Sequence, residues 1–287
     1  MRFNSPLRYP GGKGKIAPFF SEVFQENNLN GGTYVEPYVG GGAVALHLLY
    51  HGDAGNVIIN DKDRSIYAFW YSVLYHCDEL CKLIKDTPVT LSQWEEAKKI
   101  QDNKSDEDLL KLGFSTFFLN RTNRSGIIKG GIIGGKEQIG NYLIDARYNK
   151  NNLIRRIEDV AKYADKIQLF NMDAIELLKS LSPEMDNNFL LYLDPPYFEK
   201  GKGLYMNYYS VDDHNDIFNA LNNIKNKNWI LTYDDKPFIY NLYKDCNIYE
   251  YTLNYSAATK GLGKEYIVFS DSCKVPSSNV ISLKVAK

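Results

Sequence analysis

The chain of 287 residues can hold one large domain or a core domain with a smaller one inserted, and 44% hydrophobic against 24% charged residues is an ordinary soluble globular composition. No apolar stretch reaches membrane-spanning length and the N-terminus opens polar and basic, so neither an anchor nor a signal peptide is expected and the protein is read as cytoplasmic. Cys77, Cys81, Cys246 and Cys273 form neither a zinc pattern nor a C-x-x-C motif, and the net charge of −1 carries no global signal for a polyanionic partner.

From Arg2 to Lys15, prolines and Gly11-Gly12 predict a tight irregular loop, followed by an amphipathic helix from about Ile16 to Phe24. The Gly-Gly-Lys there could cradle a phosphate, but P-loop spacing is absent. From Thr33 to Leu46 a strand, a glycine turn and an apolar helix follow one another, as in the first βα unit of a doubly wound α/β fold. Gly40-x-Gly42-x-x-Ala45 fits the nucleotide-binding fingerprint with alanine as its third small residue. Asn56 to Asp61 reads as a second strand ending in an acid about twenty residues on, where such folds bind ribose hydroxyls. A helix cap or turn residue is the alternative for Asp61, and the matched spacing argues against it.

The next fifty residues read as helical, with Ile66, Phe69, Trp70, Val73 and Leu74 on one face and a further helix from Asp106 to Phe118. His76, Cys77 and Cys81 lack a further metal ligand nearby, and His47 and His51 lack the intervening glutamate of a zincin; packing or surface roles are expected, and no metal.

Charge is unevenly spread. From Phe117 to Arg156 eight basic residues (Arg121, Arg124, Lys129, Lys136, Arg147, Lys150, Arg155, Arg156) face two acids, Glu137 and Asp145, so this segment carries +6 and leaves −7 to the rest. A compact basic zone on an acidic protein is the footprint of a phosphate-backbone binder, unless it is a solvated loop. Asn120-Arg121-Thr122-Asn123-Arg124 opens it with the side chains that make bidentate contacts to base edges, although the same residues could cap a helix. Gly130-Gly131 and Gly134-Gly135 predict mobile loops or a hairpin carrying Lys129 and Lys136 at its tips.

After a helix from about Leu153 to Tyr163 the α/β pattern returns. Lys166 to Asp173 is a strand ending in an acid, with the helix Ile175 to Leu181 behind it. Leu190-Leu191-Tyr192-Leu193 has the length of a buried strand and stops at Asp194-Pro195-Pro196-Tyr197. Proline has no N–H and a fixed φ, so the ladder must end there. The strand end then presents a carboxylate, carbonyls and an aromatic face, a set able to hold an exocyclic amine by its two N–H groups and to stack its ring. A loop rich in Lys, Gly and Tyr runs from Lys200 to Tyr209, Asn215 to Ile224 is helical, and Trp229 to Asp235 is another strand. Tyr249 to Tyr255 and Glu265 to Phe269 read as a terminal hairpin around Thr259-Lys260.

In this order the motifs resemble those of the Dam-type family of DNA adenine-N6 methyltransferases. Tyr9-Pro10-Gly11-Gly12-Lys13 is similar to its aromatic-x-Gly-Gly-Lys motif, with tyrosine where tryptophan is frequent. Glu36-Pro37-Tyr38-Val39-Gly40-Gly41-Gly42 is similar to Glu-Pro-Phe-x-Gly-x-Gly, and Asp194-Pro195-Pro196-Tyr197 is the catalytic tetrapeptide without departure. The resemblance implies a seven-stranded, mostly parallel, Rossmann-like methyltransferase sheet formed by residues 1–64 and 160–287. An inserted, mainly helical target-recognition region would span 65–159. It implies S-adenosylmethionine as methyl donor, S-adenosylhomocysteine as product and no metal. Tyr9, Lys13, Glu36, Gly40, Gly42, Asp61, Asp173 and Asp194 would bind the cofactor, with Tyr9 and Lys13 at its methionine end. Asp194, Pro195, Pro196 and Tyr197 would be catalytic. Asn120, Arg121, Asn123, Arg124, Lys129, Lys136 and Arg147 would contact double-stranded DNA, in a restriction-modification context with a cognate endonuclease or as an orphan or phage enzyme.

The implied reaction needs no strong general base. Asp194 and the Pro195 carbonyl would accept the two N6–H bonds of a flipped adenine and localise its lone pair toward the methyl group, while Tyr197 stacks on the base. A nicotinamide dehydrogenase would explain Gly40, Gly42 and Asp61 but leaves Asp194 to Tyr197 unused. A cytosine-N4 methyltransferase would present the same tetrapeptide to a different exocyclic amine, and a catalytically silent DNA-binding relative would keep the basic zone without turnover.

Overall fold

The computed structural model describes residues 5–9, 11–181, 188–198, 209–224, 227–255 and 261–286. In chain order its elements are α1 (Ala17–Glu26), β1 (Gly32–Glu36), α2 (Ala43–His51), β2 (Ala54–Asn60), α3 (Arg64–Tyr75), α4 (Cys77–Asp86), α5 (Leu91–Asp102), α6 (Leu109–Thr122) and α7 (Lys150–Ala161). They continue with β3 (Ile167–Phe170), α8 (Ala174–Leu181), β4 (Phe189–Leu193), α9 (Val211–Asn223), β5 (Asn228–Asp234), α10 (Pro237–Tyr243), β6 (Asn247–Tyr255), β7 (Gly261–Phe269) and β8 (Lys284–Val285). These fall into two compact units, one of Lys13–Val39, Val44–Asn60 and Met172–Lys287, the other of Met1–Gly12, Gly40–Ala43 and Asp61–Asn171.

The first of these units is built on a mixed sheet. β1 pairs in parallel with β2 on one side and β4 on the other, and β4 pairs in parallel with β5. β7 then runs antiparallel to β5, and β6 antiparallel to β7. The antiparallel end is longer than the expected hairpin, because β8 pairs with the far edge of β6 and shields its unpaired backbone groups. β1 and β4 are neighbours although β2 and β5 lie outward in opposite directions, so strand order reverses between them. The crevice at the carboxyl ends of such strands is where open α/β sheets bind ligands. Glu36 ends β1 and Asp194 follows β4, so the sequence delivers both carboxylates to this point.

Both faces of this sheet are covered, which is why β4 reads as a continuous apolar run rather than an alternation. Leu191 and Leu193 face a core completed by Leu178 of α8, Ile217 and Leu221 of α9, and Ile239 and Tyr243 of α10. On the other face Phe20 of α1 meets Tyr192 edge-on at 4.6 Å, and Phe19 meets Phe269 at 6.3 Å.

The second unit is mainly helical. Side chains of Asp63, Thr90, Asp108 and Asn149 accept backbone N–H groups at the starts of α3, α5, α6 and α7, breaking one long helical pattern into separate helices. A Cβ at Gly113 would lie 2.3 Å from Ser72 Oγ and 2.4 Å from the Ala68 carbonyl oxygen. Glycine there lets α6 lie against α3, and Phe69 and Phe117 stack across the contact at 6.0 Å. The expected hairpin is reduced to one antiparallel bridge, Asn123 to Ile132.

No helix among the described residues is long and apolar enough to cross a membrane, and the four cysteines are free. Pro10, residues 200–208 of the tyrosine-rich loop and the hairpin tip 256–260 lie outside the described residues.

Candidate active site

The site is organised by the end of β4. Leu193 pairs with Leu231 of β5, which sets Thr232 beside the next residue, and Thr232 Oγ1 donates to Asp194 Oδ1 at 2.7 Å. The Tyr192 hydroxyl lies 2.8 Å from Thr232 Oγ1 in turn. Lys13 Nζ donates to both Asp194 oxygens and to the Tyr197 hydroxyl, each at 2.8 Å. Asp234 Oδ1 accepts the Phe198 N–H at 2.9 Å and fixes the exit of the tetrapeptide. Asp194 keeps 20% of its side chain exposed, whereas Lys13 keeps 3%. The carboxylate is therefore held from behind and open in front.

Burial disfavours the charged form of each partner. At Asp194 it outweighs the Lys13 ammonium, and with the Glu265 charge it holds the carboxyl above the usual aspartate range. At Lys13 burial is outweighed by Asp194 and Glu265, which keep the amine protonated. Glu36 is buried at the end of β1, and burial together with the Asp194 charge pushes its carboxyl well above the usual range. Its Oε2 has no hydrogen-bond partner among the described residues. Asp173 accepts the Ile175 N–H at 2.9 Å at the start of α8.

Glu265 of β7 was not singled out from the sequence. It is fully buried and accepts the hydroxyls of Tyr197 and Tyr251. The sequence signal was an acid immediately before the apolar run Tyr266 to Phe269, a placement that buries the charge if the strand continues through it.

In the other unit the glycine turn is clamped on several sides. Gly40 has φ +43° and Gly42 φ +60°, conformations that favour glycine, and a Cβ at Gly40 would lie 2.6 Å from the Tyr9 ring. Trp70 Nε1 donates to the Gly40 carbonyl at 3.0 Å. Asp61 accepts the Gly40 N–H at 3.0 Å through one oxygen and the Asp63 N–H at 2.9 Å through the other. Burial and the neighbouring Asp63 carboxylate push Asp61 up to about 7.

The basic zone corrects three expectations. Asn120, Arg121 and Asn123 are buried and occupied internally, so they present no edge to a nucleic acid. Asn120 accepts the Arg8 N–H at 2.8 Å and donates to the Arg8 carbonyl at 2.7 Å and the Gly126 carbonyl at 2.9 Å. Arg121 donates to the carbonyls of Pro6 and Ser5. Asn123 accepts the Trp94 indole N–H at 2.7 Å and donates to the Ile127 and Ile128 carbonyls. These residues lace the N-terminal segment onto α6, because buried carbonyls need donors. Lys150 likewise donates to the Lys85 and Thr87 carbonyls, and Arg156 to that of Ser5. Arg124, Lys129, Lys136 and Arg147 are exposed. Between the last two, Gln138 donates to the Ile133 and Gly135 carbonyls and accepts the Ile144 N–H, leaving Ile139 and Tyr142 87% and 67% exposed.

Comparison with known proteins bears on this arrangement. The profile of the D12 class N6 adenine-specific DNA methyltransferases matches residues 9–257. The chain is 26% identical over 225 residues to the type II methyltransferase M.MjaIII of Methanocaldococcus jannaschii, covering 73% of this chain and 74% of that protein. A SAM-dependent methyltransferase structure from Agrobacterium tumefaciens aligns with TM-score 0.43 at 8% identity, over 90% of this chain but only 62% of that one. The rRNA methyltransferase aviRa of Streptomyces viridochromogenes aligns with TM-score 0.37 at 12% identity, over 93% and 88%.

Proposed function

The chain belongs to the D12 class of N6 adenine-specific DNA methyltransferases, and from that premise we propose that it transfers a methyl group from S-adenosylmethionine to N6 of an adenine flipped out of double-stranded DNA. The observation that carries this reading is Asp194. It is a carboxylate fixed from behind by Lys13 and Thr232, with its front open, at the carboxyl end of a central strand.

The residues present fit the methyl donor. Gly40 makes a left-handed turn packed against the Tyr9 ring, Asp61 is a carboxylate just after β2, and Glu36 Oε2 is a buried acceptor with no partner among the described residues. When bound, S-adenosylmethionine supplies an electrophilic methyl group on a sulfonium. By the family's motifs, Tyr9, Lys13, Glu36, Gly40, Gly42, Asp61 and Asp173 would hold its nucleoside and methionine parts.

The work of the chain is positioning. Asp194 and the Pro195 carbonyl accept the two N6–H bonds, which draws the amine lone pair out of conjugation. Asp194 must be ionised to accept, and Lys13 and Thr232 keep its lone pairs oriented. Tyr197 is buried with its hydroxyl anchored, and by the family's tetrapeptide its ring would stack on the base. Arg124, Lys129, Lys136 and Arg147 hold phosphates. A type II relative supports a restriction-modification setting with a cognate endonuclease as partner.

Expression in a methylation-free host followed by single-molecule mapping of modified bases tests the reading. N6-methyladenine at a defined site is expected, while N4-methylcytosine or no mark would reject it. Asp194→Ala should lower methyl transfer by about a hundredfold or more while leaving DNA affinity nearly intact. Near wild-type transfer in that variant would remove Asp194 from the chemistry.

A further inference from the structure

Glu265 lies outside the residues that match the family profile, yet its side chain reaches the catalytic tetrapeptide. Its strand, β7, is antiparallel to β5 and β6, with Glu265 opposite Asp234 on one and Tyr251 on the other. A buried carboxylate in mid-sheet is costly unless its oxygens are hydrogen-bonded and a counter-charge is near. Both conditions hold. One oxygen accepts the Tyr197 hydroxyl, the other accepts that of Tyr251, and Lys13 Nζ lies 3.7 Å away.

The direction of these hydrogen bonds follows from chemistry. An ionised carboxylate only accepts, so the Tyr197 O–H must point at Glu265. That leaves the Tyr197 oxygen to accept from Lys13, whose ammonium also donates to Asp194. Lys13 therefore donates in two directions, to Asp194 on one side and through Tyr197 toward Glu265 on the other, and Glu265 fixes the hydroxyl at that second end. The single ammonium is also shared between two carboxylates, so it does not neutralise Asp194 completely.

We propose that Glu265 is a positioning residue for methyl transfer: it orients Tyr197 and Lys13 and, by sharing the Lys13 charge, keeps Asp194 a strong acceptor for the substrate amine. This rests on the function proposed above. The terminal hairpin is on this view part of the active site as well as the edge of the sheet.

Glu265→Gln keeps the shape and removes the charge. Single-turnover methyl transfer to DNA should fall about ten- to a hundredfold with little change in the affinity for DNA. The acid limb of the pH–rate profile should also move. Asp194 must be ionised, so the rate falls as pH drops through its titration, and the Glu265 charge holds that titration up. Removing the charge shifts the limb to lower pH, which a purely structural role would not do. Glu265→Asp, which retains the charge, should return the limb toward its wild-type position. A folded Glu265→Gln protein with a rate within twofold of wild type and an unmoved limb overturns the proposal. If that variant does not fold, Tyr197→Phe decides, because it keeps the ring and breaks the chain. A tenfold or greater loss of rate at unchanged DNA affinity supports the proposal, and a loss under twofold overturns it. Wild-type protein that transfers no methyl to adenine would instead reject the underlying function, leaving Asp194 no amine to accept.

Discussion

At the scale of single residues, burial decides what a polar side chain does. Arg121 and Arg124 are three residues apart in one basic run, yet Arg121 is an internal strut and Arg124 an exposed charge. Burial, with Arg156 and Arg8 nearby, lowers the Arg121 pKa to about 9, the mark of a guanidinium held by neutral carbonyls rather than by an acid. Arg121→Ala should therefore act on stability. It leaves the Pro6 carbonyl without its Arg121 donor and the Ser5 carbonyl with Arg156 alone, and is expected to cost about 3 kcal/mol, read as a lower midpoint in denaturant. The salt dependence of DNA binding by the folded fraction should be unchanged. A normal midpoint with a shallower salt slope would return Arg121 to the DNA surface. Nothing in the sequence separates these two arginines, since the same donor geometry serves a carbonyl inside and a phosphate outside.

At the scale of elements, signals carried by neighbours in sequence were legible and those carried by register were not. The Pro-Pro stop after Leu193 and the glycine turn at Gly40 dictate local backbone, so β4, β1 and both turns lie where the motifs put them. Glu265 and Thr232 join the site only because β7 and β5 meet the central strands in one register, and no local pattern encodes that. Helix contacts behave likewise. Gly113 sits in mid-helix, where glycine is unfavourable, and only the approach of α3 explains it. Gly113→Val should force α3 and α6 apart and destabilise the protein by about 1–3 kcal/mol, visible in thermal unfolding. An unchanged melting temperature would mean that the two helices can separate without loss.

At the scale of the whole molecule, the net charge of −1 conceals opposed regions, and the structure shrinks the basic one. Of its eight basic residues, Arg121 is buried, and Lys150 and Arg156 donate to backbone carbonyls. The remaining exposed charges are Arg124, Lys129, Lys136, Arg147 and Arg155. A polyanion should respond to these and not to the formal +6. Each phosphate neutralised by a protein cation contributes about 0.9 to the slope of log affinity against log salt concentration for duplex DNA. Replacing Arg124, Lys129, Lys136 and Arg147 together by glutamine should therefore lower that slope by about 3 to 4, with proportionately weaker binding across unrelated sequences. An equal number of charges removed from surface lysines outside this segment, such as Lys62, Lys82, Lys98 and Lys99, serves as the control and should leave the slope nearly as it was. Equal losses in the two sets would show that the DNA senses overall charge and that this zone has no privileged contact with the backbone.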